Sequence, residues 1–471
     1  MLTLAHFLQT LSTYEATGHE PAVSRVVMDS REAVPGSLFV ATKGEMVDGH
    51  EFVTAAFKQG AIAALVDRPI SDTYTTIDLR TTEPPAVPLG APKPVCLVVE
   101  DTIAALQASA KAWRARFPAE VIGITGSVGK TSTKELTHAV LSSRYCTFKS
   151  PGNRNSILGL PLALFDLQPE NEKAVLEMGM YTTGEIATLC DMTSPQVGVV
   201  TLVGAVHLER AGSMENIVKA KRELVEALPA DGTAVLNKDD ARVMSMADHT
   251  QARIFTYGLS SAADLWADNI YSMGLDGVRF TLHHKGESLV VQVPLLGRHS
   301  VHTSLRAAAV GLIEGLTWDE ILHGLRNTAV QLRLVTVPGP KNSLIIDDTY
   351  NASPDSVRAA LNLMHDIDGR SVAVLGDMLE LGQLEEQAHR QVGRRVAEVA
   401  KLLVTVGQRA RWIGQEAIAS GLPQDKVVML DDATTAVSTL EELIEENDTV
   451  LVKGSLGMRM DQIINALGRY N

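Results

Sequence analysis

Between residues 125 and 131 the chain reads Thr125-Gly126-Ser127-Val128-Gly129-Lys130-Thr131. Two closely spaced glycines followed directly by a lysine and a threonine suit the binding of a polyphosphate. The glycines let backbone N–H groups turn toward phosphate oxygens, and a helix opening at Lys130 adds the partial positive charge of its N-terminus. Lys130 is placed to reach β- and γ-phosphates, and the Thr131 hydroxyl to ligate Mg2+. The short GxxGKT form is met. The longer GxxxxGK[ST] form is not, because Ile124 holds its first glycine position. Glycine-rich strand–helix turns also occur without a ligand. On its own the motif predicts an ATP or GTP site and leaves the reaction open.

Three further side chains have types suited to the same chemistry. Glu177 ends the apolar run Val175-Leu176, and a carboxylate at the C-terminal end of a strand lies where α/β folds collect their ligands. It is a candidate for Mg2+ or a plain surface acid. His207 follows the apolar stretch 201–206 and would reach the same edge, although a lone histidine is more often packed or exposed. Lys219 and Lys221 lie in a stretch, Met214–Leu228, that reads as helix; by position alone they are solvated helix cations.

These groups need a scaffold, and the chain supplies one in alternating strands and helices. Strands are predicted at Val95–Val99, Val121–Thr125, Ala174–Leu176, Val197–Leu202 and Thr233–Leu236, with helices at Thr102–Phe117, Lys130–Ser143 and Met214–Leu228. Such alternation predicts a mostly parallel sheet covered by helices. Residues 278–295 alternate with period two on both sides of an HHKGE turn and read as a hairpin appended to that core. A further α/β unit begins near Arg333: strands Leu344–Ile346, Val372–Leu375, Leu402–Val406 and Thr449–Val452, helices Ser356–His365 and Glu385–Ala400. Residues 81–95 hold five of the nineteen prolines and read as a loop or linker. The length of 471 residues suggests about three domains.

Bulk properties exclude some classes. A net charge of −14 argues against a protein that coats nucleic acid. The first twenty residues have no basic segment followed by a long apolar run, and no stretch approaches a membrane span. Cys96, Cys146 and Cys190 are widely spaced and form no metal-binding pattern, which suits structural thiols in a reducing compartment. A cytoplasmic protein is expected.

The motifs taken together, namely GxxGKT, Glu177, Ala205-x-His207-Leu208-Glu209, Lys219-Ala220-Lys221-x-Glu223 and Asn237-x-Asp239-Asp240, resemble the Mur ligase superfamily. The likeness is strongest to its D-alanyl-D-alanine-adding branch. Asp29-Ser30-Arg31, Lys43-Gly44 and Asp48-Gly49-His50 look like that branch's UDP-sugar domain. Asp347-Asp348-Thr349-Tyr350-Asn351-Ala352-Ser353-Pro354, Gly376–Gly382 with His389, and Lys453-Gly454-Ser455 look like its last domain.

The resemblance implies an α/β fold of three domains. Residues 1–98 form a small UDP-sugar domain, 99–331 a central P-loop domain with a mostly parallel sheet, and 332–471 a Rossmann-like domain for the incoming amine. It implies ATP-dependent addition of D-alanyl-D-alanine to UDP-N-acetylmuramoyl-tripeptide through an acyl phosphate, in peptidoglycan precursor synthesis, by a monomer.

By the same likeness, residues 125–132, Thr125 to Ser132, hold ATP together with Asp348, Tyr350 and Asn351. Thr131, Glu177, His207 and a carbamylated Lys221 hold Mg2+, two ions in all. Lys130, Lys221, His207 and Arg333 are catalytic. Ser30, Arg31, Gly44, Asp48, His50 and Asn153 contact the UDP-sugar substrate.

The chain also departs from the pattern. Ser300 and Thr303 stand where asparagines are common, which predicts looser selection of the base. Leu202 and Leu456 replace other polar residues. Two alternatives stay open: a ligase of this superfamily that adds a different amino acid or peptide, and a nucleotide-binding scaffold that has lost ligation.

Overall fold

The computed structural model describes residues 1–44, 47–81, 94–206, 208–327 and 335–468. The chain divides into two compact units, Met1–Val121 with Ser150–Met178 and Ala187–Ser194, and Ile122–Lys149 with Gly179–Ile186 and Pro195–Asn471. The predicted linker at 81–95 lies outside the described residues over 82–93.

The first unit is built on five strands: β1 (Val26–Val27), β2 (Leu38–Val40), β3 (Ala63–Val66), β4 (Thr75–Asp78) and β5 (Val95–Val98). They run in the order β1-β2-β3-β5-β4, and every pair is parallel. β2, β3 and β5 are buried at every residue, which is why they read as unbroken apolar runs rather than alternating ones. Phe39, Val53, Phe57, Ala64 and Val98 belong to one core of this unit. The helix Thr102–Arg114 follows, with Asp101 accepting from the N–H groups of Ile103 and Ala104. It stops short of the expected Phe117 because the Arg114 guanidinium donates to the carbonyls of Phe117 and Ala119, at 2.8 and 2.7 Å, and closes a turn there.

The next strands in chain order are β6 (Glu120–Thr125), β7 (Thr147–Lys149), β8 (Lys173–Glu177, in the first unit), β9 (Val197–Val200), β10 (Thr233–Asn237), β11 (Arg253–Gly258), β12 (Leu265–Ser272), β13 (Val278–His284) and β14 (Glu287–Val293). Seven of them lie side by side in the order β14-β13-β12-β11-β10-β9-β6. From β6 to β12 the pairing is parallel. β12, β13 and β14 are antiparallel.

The expected hairpin is present, with Lys285 (φ 47°) and Gly286 (φ 83°) in the left-handed conformations that a tight two-residue turn requires. It is not an appendage. β13 pairs with β12 and so continues the main sheet, because the open edge of β12 carries backbone donors and acceptors that need partners.

The last sheet comprises β15 (Val335–Pro338), β16 (Leu344–Asp348), β17 (Ser371–Gly376), β18 (Leu402–Val406), β19 (Val427–Leu430) and β20 (Thr449–Lys453). Its order is β15-β16-β20-β17-β18-β19, parallel except for β15 against β16. Alternate residues serve opposite faces. Ile346, Ala373, Leu375, Leu403 and Leu451 pack toward the helices Pro354–His365 and Glu385–Val399. Ile345, Val372, Val374, Val404 and Val450 pack with Ala436, Leu440, Ile463 and Ile464 of the helices Ala433–Leu443 and Asp461–Leu467. With both faces covered, this is the open α/β sheet expected of a Rossmann-like domain. β15 and β19 escape sequence reading because they are short edge strands, only partly buried.

None of the cysteines is disulfide-bonded. Cys96 and Cys190 are buried, but Cys146 is exposed, so it does not serve as the packed thiol expected of it. It sits just ahead of β7, outside the core layers. No helix among the described residues is long and apolar enough to cross a membrane.

Candidate active site

β6 ends at Thr125, and the helix Lys130–Leu141 opens five residues later. The turn between them needs its glycines. Gly126 adopts φ 144°, and a Cβ there would lie 1.8 Å from Thr201 Oγ1; Gly129 adopts φ 85° as the N-cap. Neighbouring loops hold the turn in place. Ser127 Oγ both donates to Gly204 O and accepts from Gly204 N, each at 2.9 Å. Thr201 Oγ1 donates to Val128 O at 2.7 Å. Lys130 curls back over the turn, with Nζ 2.9 Å from Gly126 O and 3.4 Å from Ser127 O. An anion arriving at the helix N-terminus meets preset N–H groups and an ammonium already at the spot.

The turn forms one wall of a cavity of about 560 Å³. Val128 to Ser132 line it on that side, and Asp348, Asn351, Ser353 and Lys453 line it from the last sheet. Those residues come together through strand pairing. Asp348 and Lys453 are register partners in β16 and β20, and Lys453 Nζ donates to Asp348 Oδ2 at 2.6 Å and to Asn351 O at 2.7 Å. The ion pair is buried, so it anchors the 349–353 loop at the sheet edge. Tyr350 in that loop is exposed rather than lining the cavity. Leu275, Pro294, Leu295 and Ala360 give the cavity an apolar stretch. An apolar wall joined to a phosphate turn suits a nucleotide.

Ser300 and Thr303 also line the cavity, and their hydroxyls are already engaged. Ser300 Oγ donates to Leu296 O at 2.6 Å, and Thr303 Oγ1 accepts from Arg306 at 2.8 Å. Arg306 lines the cavity as well. Sequence reasoning passed over it, although a lone charge beside the apolar run Ala307–Ile313 was a visible signal.

Lys221 is buried at 3% exposure, and Lys219 is exposed. The helix Met214–Glu226 explains the difference. Ile217, Ala220, Leu224 and Val225 form its buried stripe, and Lys221 falls inside that stripe, four residues from Ile217. The solvated-cation reading is therefore wrong for Lys221 and right for Lys219. Burial, and then the charge of Lys130, pushes the Lys221 ammonium well below the usual lysine range.

In the first unit, Glu177 ends β8 at 1% exposure and accepts from Asn155 Nδ2 at 2.7 Å. It is not a surface acid. Ser30 is buried, while Arg31 is exposed and pairs with Asp29 at 2.6 Å. Gly44 N donates to Val47 O. His50 is buried with both ring nitrogens occupied: Nδ1 lies 2.6 Å from Asp48 Oδ1, and Nε2 accepts from Asp67 N at 3.1 Å. The Arg68 guanidinium, together with His50, holds the Asp48 carboxyl well below the usual carboxylate range. Asn153 is exposed. His207 and Arg333 lie outside the described residues.

His389 is structural. Its Nε2 accepts from Met378 N at 3.0 Å, and its Nδ1 donates to Glu385 O at 2.7 Å, which fixes the neutral ring at the start of the 378–384 loop. His389→Ala is expected to cost roughly 2–4 kcal/mol of stability, from a cavity and an unpaired N–H. Burial lowers the imidazole's proton affinity. The folded state therefore keeps the ring neutral where the unfolded chain protonates it, and stability falls as pH drops below about 6.5. Urea melts near pH ~7.5 and ~5.5 check both points, with a shallower pH loss expected for the variant.

The Mur ligase family catalytic domain matches residues 22–113, the Mur ligase middle domain 124–311, and the Mur ligase glutamate ligase domain 332–456. The chain is 36% identical over 460 residues to the UDP-N-acetylmuramoyl-tripeptide–D-alanyl-D-alanine ligase of Escherichia coli K12, covering 96% of this chain and 95% of that protein. It is 34% identical to the Bacillus subtilis ligase of the same name, covering 96% and 94%. Among solved structures, MurF from Acinetobacter baumannii superposes with a TM-score of 0.84 at 30% identity over 98% of each chain. MurF from Thermotoga maritima in complex with ADP gives 0.76 at 27% identity, over 94% and 97%.

Proposed function

This chain belongs to the Mur ligase family, and from that membership we propose that it joins D-alanyl-D-alanine to UDP-N-acetylmuramoyl-tripeptide with hydrolysis of ATP to ADP and phosphate. The product is a peptidoglycan precursor. The observation that carries this is the cavity that the GxxGKT turn shares with the Asp348–Ser353 loop and Lys453. The near-full-length likeness to UDP-N-acetylmuramoyl-tripeptide–D-alanyl-D-alanine ligases supplies the substrates.

The chemistry proceeds in two displacements. An oxygen of the tripeptide's terminal carboxylate bonds to the γ-phosphorus of ATP as the bond to the β,γ-bridging oxygen breaks, and ADP leaves. The amine of D-alanyl-D-alanine then attacks the acyl carbon, loses a proton, and phosphate departs. Lys130 leaves the carbonyls of Gly126 and Ser127 for the transferring phosphoryl group, whose charge it offsets. The Lys453–Asp348 pair positions the loop that faces the nucleotide. Arg333 acts on the phosphates as the family pattern implies.

Thr131, with a hydroxyl at the turn, and Glu177, a buried carboxylate, offer the oxygen donors that Mg2+ prefers. With His207 and a carbamylated Lys221 they would hold the metal, which when bound polarises phosphate oxygens and neutralises their charge. Residues 1–98 take the UDP-sugar through Ser30, Arg31, Gly44, Asp48, His50 and Asn153, residues 99–331 take ATP, and residues 332–471 take the dipeptide. The setting is the cytoplasm and the working form a monomer.

Phosphate release measured with ATP and UDP-N-acetylmuramoyl-tripeptide, with and without D-alanyl-D-alanine, tests the proposal. Sustained release is expected only with both substrates. Release that ignores the dipeptide, or that another amino acid supports better, overturns the assignment, and no release under any combination assigns a scaffold.

A further inference from the structure

Arg306 is a buried cation in the wrong company. It lies in the helix Ser300–Ile313 at 4% exposure. Nε donates to Thr133 Oγ1 at 2.8 Å, one terminal nitrogen to Thr303 Oγ1 at 2.8 Å, and the other to the Tyr257 hydroxyl at 3.4 Å. The guanidinium carbon stands 5.7 Å from the centre of the Tyr257 ring. Every one of these partners is neutral. Among the described residues, no carboxylate pairs with it. The buried Lys453, by contrast, is matched by Asp348 at 2.6 Å. Leaving a guanidinium buried without a counter-charge costs free energy, and hydroxyls and an aromatic face offset only part of it.

Its position says what counter-charge is missing. Thr133 lies on the first turn of the phosphate helix, and its hydroxyl also donates to Gly129 O at 2.6 Å. A Cβ built on Gly129 would lie 3.1 Å from an Arg306 terminal nitrogen. The guanidinium therefore lies against the turn at Gly129, and it lines the nucleotide cavity. Thr303, which also lines the cavity, accepts from the same guanidinium.

We propose that Arg306 is a nucleotide-recognition residue, whose guanidinium supplies to the phosphate chain of the bound nucleotide the charge-assisted hydrogen bonds that Ser300 and Thr303 do not make to its base. This rests on the reading of the cavity as the ATP site. A planar, permanently charged fork suits phosphate oxygens better than an ammonium does. Selection thereby shifts from the base toward the phosphates.

The test is binding of adenosine, AMP and ADP to the wild type, Arg306→Met and Arg306→Lys by calorimetry, with melting temperatures of the ligand-free proteins. ADP affinity is expected to fall roughly ten- to a hundredfold in Arg306→Met and less in Arg306→Lys. Adenosine affinity stays level. The step in the ligand series at which the loss appears locates the phosphate that is contacted. Ligand-free Arg306→Met is expected to melt no lower than the wild type, because a counter-ion-poor cation has been removed. Unchanged ADP affinity in Arg306→Met, or an equal loss for adenosine and ADP together with a lower melting temperature, makes Arg306 a structural residue and overturns the proposal. A wild type that binds no ADP overturns the ATP-site reading, and this inference with it.

Discussion

Lys130→Ala is expected to lower kcat on the order of a thousandfold, with the fold intact. The ammonium is the one side-chain cation that the turn itself contributes, and it sits within hydrogen-bond distance of two turn carbonyls. In the ground state, the backbone N–H groups of the turn hold the phosphates with or without it. In the transition state, negative charge spreads over the oxygens of the moving phosphoryl group, and a preset cation counts most there. The loss should therefore fall on kcat more than on the KM for ATP. The variant loses two donor contacts on a turn that Ser127 and Thr201 still brace, so its melting temperature should stay near the wild type's. Phosphate release at saturating ATP, with both co-substrates present, is the measurement. A folded variant within a few-fold of wild-type turnover would remove the phosphate-transfer role from this turn.

Lys221→Ala should lose activity by roughly a hundredfold or more, and short carboxylates should restore part of it. A buried lysine whose ammonium is disfavoured by burial and by Lys130 holds a larger share of neutral amine, and neutral amine is what reacts with CO2. In the proposed carbamylation the nitrogen would form a bond to the carbon and lose a proton, leaving an anion where a cation would otherwise stand. A buried anion beside Lys130 is far better matched than a second ammonium, and its oxygens suit Mg2+. Removing the side chain leaves a gap into which formate or acetate can bring the same oxygens. Lys219, exposed on another face of the helix, should tolerate alanine with little loss and show no rescue. Intact-mass and 13C-bicarbonate NMR measurements on the wild type, with rate against acetate concentration for both variants, decide the matter. An unmodified Lys221 together with an active Lys221→Ala enzyme would return this residue to a packing role.

What the sequence determined by itself was local. A glycine at φ 85° before a lysine is a short-range requirement of the turn, so the GxxGKT spacing announced the turn without help from the fold. Strand and helix alternation did the same for the layers, because side-chain periodicity is set within a few residues. Even the burial of Lys221 was written in the stripe 217, 220, 224 and 225, had the helix been read for its buried face rather than for its charges. Pairings across long separations were different. Lys453 meets Asp348 only because β20 inserts between β16 and β17, and strand order is not encoded in either strand alone. Arg306 faces Thr133 and Tyr257, 173 and 49 residues away along the chain, and no local pattern says that, among the described residues, it would bond to their neutral hydroxyls and that of Thr303 rather than to a carboxylate. The hairpin was legible, but not that it extends the main sheet, since an edge strand finds its partner by open hydrogen-bonding groups and not by its own period. Short-range sterics and periodicity wrote the motifs; long-range burial and strand order decided which charges share a cavity.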